Sequence, residues 1–129
     1  KVIQEDPFEQ GPRQALNLGH TLGHAVELVS GFRLRHGEAV AIGMVAEARL
    51  AEQMGLADPK QNLATRIINV LQAIGLPTEI PPDLDRDAIR KVMLLDKKRA
   101  GGKVKFALPI RIGEVVTGVE VDEVLIANL

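Results

Sequence analysis

The stretch that decides the fold is RQALNLGHTLGHAVE (residues 13–27), followed after a short polar link by HGEAVAIGM (residues 36–44). These two segments hold all three histidines of the chain, which are His20, His24 and His36. The rest of the chain carries few groups of comparable chemical interest. We therefore interpret this stretch as part metal site and part substrate pocket.

The spacing of the histidines suits metal binding. On a helix, His20 and His24 lie one turn apart on the same face, so two imidazoles can approach one ion. A catalytic zinc takes three protein ligands and keeps one position open, and His36 can join them if the chain turns back. Gly31 suits the end of a helix and permits that turn. The alternative, three ordinary polar histidines with hydrogen-bond partners, stays open at this point.

Two glycines mark a close approach to the backbone. Gly19 and Gly23 each precede a histidine, although glycine inside a helix costs roughly 1 kcal/mol relative to alanine. Either another helix or a ligand must therefore lie against the backbone at these positions. Between His36 and Ala46 the only charged side chain is Glu38, and a helix that is apolar on all faces is a buried one.

The apolar pattern and the helix start and stop signals predict a mainly α domain with one small β-hairpin. The second helix should be the centre of the domain. Asp58 should cap the third helix, and either Asp85 or Asp87 the fourth. The expected elements are helices over residues 12–29, 36–54, 59–74 and 85–96, a basic loop over 97–102, strands over 104–108 and 115–119, and a short helix over 122–128.

The composition is that of one ordinary domain. The chain has 129 residues, is 46% hydrophobic and carries a formal net charge of -1, which gives no basic excess for nucleic acid. It has three Phe and no Tyr or Trp, so stacking on bases is disfavoured. The apolar run over residues 39–46 is too short to span a membrane. The absence of cysteine excludes disulfides and thiolate metal sites and suits a reducing cytoplasm, where we expect the protein to be.

The histidine stretch closely resembles the signature of the 3-dehydroquinate synthase family. The resemblance lies in residues 16–25 together with residues 36–44, and this long two-part motif is highly specific. Further matches cover nearly the whole chain and are Asp6, Glu9, Gly11, Arg13, Asp96-Lys97-Lys98 and residues 108–113. One departure is visible at residues 6–9, where the family commonly has Asp-Glu-Arg-Glu and this chain has Asp-Pro-Phe-Glu.

The resemblance implies distinct roles for the histidines. The positions of His20 and His36 hold zinc in the family, or cobalt in its place, with a third ligand from a Glu upstream of this chain. The position of His24 is not a ligand and assists proton transfer near the phosphate. Glu27 and Glu38 are candidates either for holding the second nitrogen of a ligand imidazole or for the surface.

The resemblance also implies a substrate and a reaction. The family converts a seven-carbon sugar-acid phosphate, 3-deoxy-D-arabino-heptulosonate 7-phosphate, to 3-dehydroquinate and phosphate, with transient oxidation by NAD. The positions that match its substrate contacts are Glu9, Arg13, Asn17 and Lys105. Placed on the same predicted helix as His20, Arg13 and Asn17 would face the same cleft.

Family members are much longer than this chain. They carry an amino-terminal NAD-binding domain, so we expect residues 1–129 to be the carboxy-terminal metal- and substrate-binding domain of a homodimeric enzyme. Three alternatives stay open. They are another sugar-phosphate cyclase, an iron-type polyol dehydrogenase of the same fold, and a non-catalytic helical interaction domain.

Overall fold

The structure, a computed structural model, describes residues 18–99, 105–111, 114–121 and 125–126. Within these ranges it confirms a mainly helical domain with one small hairpin, in which the two strands pair antiparallel. The elements in chain order are α1 (His20–Val29), α2 (His36–Gln53), a short 3₁₀ helix (Pro59–Gln61), α3 (Leu63–Ala73), α4 (Arg86–Arg99), β1 (Lys105–Arg111) and β2 (Glu114–Glu120).

The second helix is the centre of the domain, as the sequence predicts. Helix α2 packs against α1, α3 and β1, while α4 packs against α1. Nine of its eighteen residues are buried, so its apolar composition follows from having neighbours on most sides. Within the described ranges, no helix is both long enough and apolar enough to cross a membrane.

One main core joins the helices to the hairpin. Helix α1 contributes Leu22 and α2 contributes Leu50, each at most 1% exposed. Met93 of α4 closes the core on one side and Phe106 of β1 on another, each 1% exposed. A hairpin of two strands is only marginally stable by itself. Its stability therefore depends on packing its buried face against α2.

Helices α1 and α2 approach each other through glycine. A methyl group added to Gly43 would overlap the carbonyl oxygen of Gly19, and one added to Gly23 would lie 2.9 Å from the carbonyl oxygen of Ala39. The two backbones are therefore in direct contact, which side chains would prevent. Of the two explanations for the paired glycines, the approach of another helix is confirmed.

The predicted first helix is wrong at its start. Gly19 has φ +80°, a left-handed conformation that ends any right-handed helix coming from upstream. Helix α1 therefore begins at His20, and residues 12–17 lie outside the described residues. Consequently a continuous helix face no longer supports the placing of Arg13 and Asn17 beside His20.

Two further boundaries differ from the prediction. Asp58 caps only the 3₁₀ helix, by accepting a hydrogen bond from the backbone N–H of Lys60. Asn62 then takes a left-handed conformation (φ 51°), so α3 starts at Leu63. Helix α4 runs to Arg99, so residues 97–99 are helical and not part of a loop.

The other end of α4 agrees with one of the two predicted caps. The carboxylate of Asp85 accepts hydrogen bonds from the backbone N–H groups of Asp87 and Ala88, which makes Asp85 the cap. At the carboxy terminus, residues 125–126 are helical. The rest of the predicted last helix lies outside the described residues.

The glycine contact generates a stability prediction. Gly43→Ala should lower the free energy of unfolding by about 1–3 kcal/mol, because the added methyl group forces the helices apart. Gly37→Ala is the matched control, since it lies in the same helix with nothing within 4 Å of the added atom. That control should leave stability unchanged or raise it, because alanine favours helix. Urea denaturation checks both, and equal stability of the two variants would contradict the contact.

Candidate metal and substrate site

The fold brings two of the three histidines together. Gly31, in a left-handed conformation (φ 65°), lies in the turn after α1, and α2 then runs back along α1. The imidazole rings of His20 and His36 have centroids 5.1 Å apart and planes tilted by 53°. His20 is the first residue of α1 and His36 the first of α2. The predicted turn after α1 is therefore confirmed, and it places His36 beside His20.

The ring of His20 is oriented by the backbone just before it. Its Nδ1 lies 3.1 Å from the carbonyl oxygen of Leu18. A carbonyl oxygen can only accept, so Nδ1 carries the proton in this hydrogen bond. The lone pair of the neutral ring is then on Nε2, which is the atom left for a metal ion.

The ring of His36 is oriented by a carboxylate. Its Nδ1 lies 3.2 Å from Oε1 of Glu27, and Glu27 is mostly shielded, with 15% of its side chain exposed. A carboxylate that holds one imidazole nitrogen leaves the other free for a metal ion and fixes the ring. The sequence left two roles open for Glu27, either at the surface or against the second nitrogen of an imidazole. This contact supports the second role.

Glu38 has a different place. Its Oε1 accepts a hydrogen bond of 2.8 Å from the backbone N–H of Arg35, the residue before α2. A carboxylate in the first turn accepts a hydrogen bond from a backbone N–H that has no partner within the helix. Its negative charge also lies favourably at the positive end of the helix dipole. Glu38 therefore stabilises the helix start that carries His36.

His24 lies one turn beyond His20 on α1, and its side chain is exposed. Among the described residues, no group of three or more His, Cys, Asp or Glu side chains is arranged to hold a metal ion. The pair His20 and His36 fits an ion chemically, since an oxygen engages Nδ1 of each ring and leaves Nε2 for the ion. Two imidazoles need at least one further ligand from elsewhere in the protein.

The predicted substrate contacts are not placed by the structure. Glu9, Arg13 and Asn17 lie outside the described residues. Lys105 starts β1 and pairs with Glu120 of β2, but its side chain also lies outside the described part. All four stay predictions.

Glu47 is a candidate that the sequence did not predict, an acidic residue that is 0% exposed. Its Oε1 accepts a hydrogen bond of 2.6 Å from the backbone N–H of Gly19, whereas its Oε2 has no partner among the described residues. Burial raises the pKa of Glu47 from an ordinary 4.5 to about 8, and the bond from Gly19 opposes this only in part. A signal was available, because Glu47 follows Gly43 by one helical turn and shares its face.

The chain is similar to known proteins over most of its length. The sequence profile of the family described as 3-dehydroquinate synthase C-terminal matches residues 1–99. Among curated proteins, the chain is 48% identical over 116 residues to 3-dehydroquinate synthase of Synechococcus sp., covering 89% of this chain and 31% of that protein. It is 45% identical over 130 residues to the enzyme of Synechocystis sp., covering 99% and 36%. The chain thus spans about a third of the length of these relatives.

Solved structures of related cyclases share the fold. A 2-epi-5-epi-valiolone synthase from Streptomyces hygroscopicus, with NAD+ and Zn2+ bound, matches with a TM-score of 0.78 and 28% identity over 98% of this chain and 34% of that one. A 2-deoxy-scyllo-inosose synthase in complex with carbaglucose-6-phosphate, NAD+ and Co2+ matches with a TM-score of 0.84 and 29% identity, covering 98% and 36%. Both comparisons extend over nearly the whole of this chain.

The buried carboxyl of Glu47 generates a pH prediction. Its pKa is higher in the folded protein than in the unfolded chain, so the folded state binds the extra proton between pH 4.5 and 8. The contribution of Glu47 to the free energy of unfolding is therefore fully present below pH 4.5. It is lost as the pH rises to 8, and the free energy of unfolding falls by up to ~1.4 kcal/mol per pH unit in that range. Urea denaturation of the wild type and of Glu47→Gln from pH 5 to 8 checks this. The free energy of unfolding should fall less steeply with pH in the variant than in the wild type. The same dependence on pH in both proteins would contradict a buried protonated carboxyl.

Proposed function

Because this chain belongs to the 3-dehydroquinate synthase C-terminal domain family, we propose that it is the metal- and substrate-binding domain of a complete 3-dehydroquinate synthase. That enzyme converts 3-deoxy-D-arabino-heptulosonate 7-phosphate to 3-dehydroquinate and phosphate, a carbon–oxygen lyase reaction of the shikimate pathway to aromatic amino acids. We place it in the cytoplasm, as a homodimer. The observation that carries the proposal is the contact between His20 and His36, with both Nδ1 atoms engaged elsewhere.

In this proposal, His20 and His36 hold a divalent metal ion, Zn2+ or alternatively Co2+. The third ligand is a Glu from the part of the enzyme that precedes this chain. When bound, the ion supplies a Lewis acid that polarises the carbon–oxygen group undergoing oxidation. The hydrogen bonds from His20 to Leu18 and from His36 to Glu27 fix the rings before metal binds, so less ordering is required at that step.

His24 has a separate role in this proposal. It is exposed and lies one turn from His20, so it can face the same substrate without sharing the metal. Its imidazole would donate or accept a proton near the phosphate, a role that histidine fills more often than any other side chain. Glu9, Arg13, Asn17 and Lys105 would bind the anionic substrate. The cations Arg13 and Lys105 and the amide of Asn17 suit carboxylate and phosphate oxygens, whereas the carboxylate of Glu9 would accept a hydrogen bond from a substrate hydroxyl.

NAD would be bound mainly by the amino-terminal part of the complete enzyme, and it supplies the transient hydride acceptor when bound. The related cyclases with bound NAD+ support this cofactor for the family. Identity ranks the alternatives, because the chain is 41–48% identical to 3-dehydroquinate synthases and 28–29% identical to the other cyclases. A polyol dehydrogenase has no need of the phosphate contact proposed for Lys105.

A phosphate-release assay tests the proposed reaction. The complete enzyme that carries this chain should release inorganic phosphate from the seven-carbon sugar-acid phosphate when NAD and zinc are present. It should release none from glucose 6-phosphate, whose carba-analogue is bound by the 2-deoxy-scyllo-inosose synthase. Release from glucose 6-phosphate alone would favour another sugar-phosphate cyclase. Absence of any metal response would favour the non-catalytic domain.

The 129-residue chain alone should be inactive. In this proposal it lacks the NAD-binding part and one metal ligand, and a site with two of three ligands binds zinc more weakly. The measurement is turnover of the isolated chain with added NAD and zinc, beside the complete enzyme at equal concentration. Detectable turnover by the isolated chain would contradict this division of roles.

Substitution of each histidine separates ligands from the acid–base group. In the complete enzyme, His20→Ala and His36→Ala should lower bound metal and turnover together. His24→Ala should keep the metal and lose roughly 10²–10⁴-fold in rate, the usual value of a positioned acid–base group. Elemental analysis, turnover and melting temperature are measured for each variant.

The contrary outcomes of this experiment are distinct. If His24→Ala empties the site while His36→Ala keeps its metal, the ligands are the histidines spaced by one turn, and the proposed assignment is wrong. If all three variants lose stability without selective metal loss, the histidines are structural.

A further inference from the structure

One peptide unit connects Glu47 to His20. The carbonyl oxygen of Leu18 accepts the hydrogen bond from Nδ1 of His20, at 3.1 Å. The N–H of the same peptide unit, which belongs to Gly19, donates to Oε1 of Glu47 at 2.6 Å. A peptide unit is planar and rigid, so the group that holds its N–H also sets the direction of its carbonyl oxygen.

We propose that Glu47 is a positioning residue for His20 and acts through the Leu18–Gly19 peptide. The carboxyl holds the peptide plane, the carbonyl holds the imidazole, and Nε2 of His20 is thereby aimed at the metal position. This inference rests on the proposed function, because it takes His20 to be a metal ligand.

The peptide needs such a constraint because of the residue it contains. Gly19 has φ +80° and precedes α1 without any side chain that caps the helix. Glycine populates both signs of φ about equally, so the local sequence leaves the plane free to rotate. The hydrogen bond that Gly19 donates to Glu47, 28 residues later in the chain, removes that freedom from outside the turn.

Packing alone gives no reason for a carboxyl at this position. Glu47 is 0% exposed, and its Oε2 has no partner among the described residues. Burying such a group is unfavourable, and a methionine of similar size would fill the space without that penalty. Within the described part of the chain, the one interaction that a methionine could not make is the hydrogen bond from Gly19.

Two substitutions in the complete enzyme separate positioning from packing. Glu47→Gln keeps an oxygen that can accept from Gly19, whereas Glu47→Met fills the space without an acceptor. Leu50→Ala is the control, since Leu50 is 0% exposed in the same helix and its truncation damages the core without touching the peptide. Zinc affinity is measured by competition with a chelator, the Co2+ form by its visible absorption, and each metal-free variant by its melting temperature.

Glu47→Met should weaken zinc binding by about 10–100-fold, the range known for groups that orient a ligand, and should alter the Co2+ absorption. Glu47→Gln should stay within about threefold of the wild type in affinity, because the acceptor is retained. Leu50→Ala should lower the melting temperature while keeping the affinity. Wild-type affinity in Glu47→Met would overturn the inference, as would an equal loss in Leu50→Ala. Metal retained in His20→Ala would instead overturn the proposed function.

A measurement on the wild type keeps the inference testable when Glu47→Met does not fold. The metal-free 129-residue chain contains three histidines and can be labelled with ¹⁵N in their rings. The nitrogen shifts of His20 should report a proton on Nδ1, and the amide proton of Gly19 should exchange slowly with solvent. A proton on Nε2 of His20, or fast exchange at Gly19, would overturn the inference.

Discussion

The direct contact between the backbones of α1 and α2 is the constraint on which the rest of the structure depends. It requires glycine on both helices, because a side-chain atom at Gly43 would overlap the carbonyl oxygen of Gly19. The close approach brings Glu47 within hydrogen-bonding distance of the Gly19 amide. The same pairing of the two helices places Glu27, near the end of α1, beside His36 at the start of α2.

The candidate site is therefore made by backbone geometry as much as by its ligands. His20 and His36 each begin a helix, and each has its Nδ1 held by an oxygen, of a carbonyl in one case and of a carboxylate in the other. Fixed rings lose less freedom when an ion binds, which favours affinity. The buried carboxyl of Glu47 lowers stability as the pH rises, so in our account the fold gives up some stability to hold the orientation of His20.

The sequence predicts the helical class, the central helix and the hairpin because each has a period or a capping signal of its own. It also predicts that either another helix or a ligand lies against Gly19 and Gly23. The predicted start of α1 is wrong because Gly19 is left-handed, and apolar periodicity does not register a turn made by a single glycine. Glu47 was missed because a single acidic residue in a helix usually faces solvent. The proposed ligand roles of His20 and His36 came from family resemblance, since spacing pairs His20 with His24 equally well.

The most direct test of the central claim is a crystal structure of the complete enzyme with zinc, using the anomalous signal of the metal. The account predicts one ion at ~2.0–2.1 Å from Nε2 of both His20 and His36. Nδ1 of His20 should remain hydrogen-bonded to the carbonyl oxygen of Leu18, and Nδ1 of His36 to the carboxylate of Glu27. An ion bound by His20 and His24, or coordination through Nδ1 of either ligand, would contradict it.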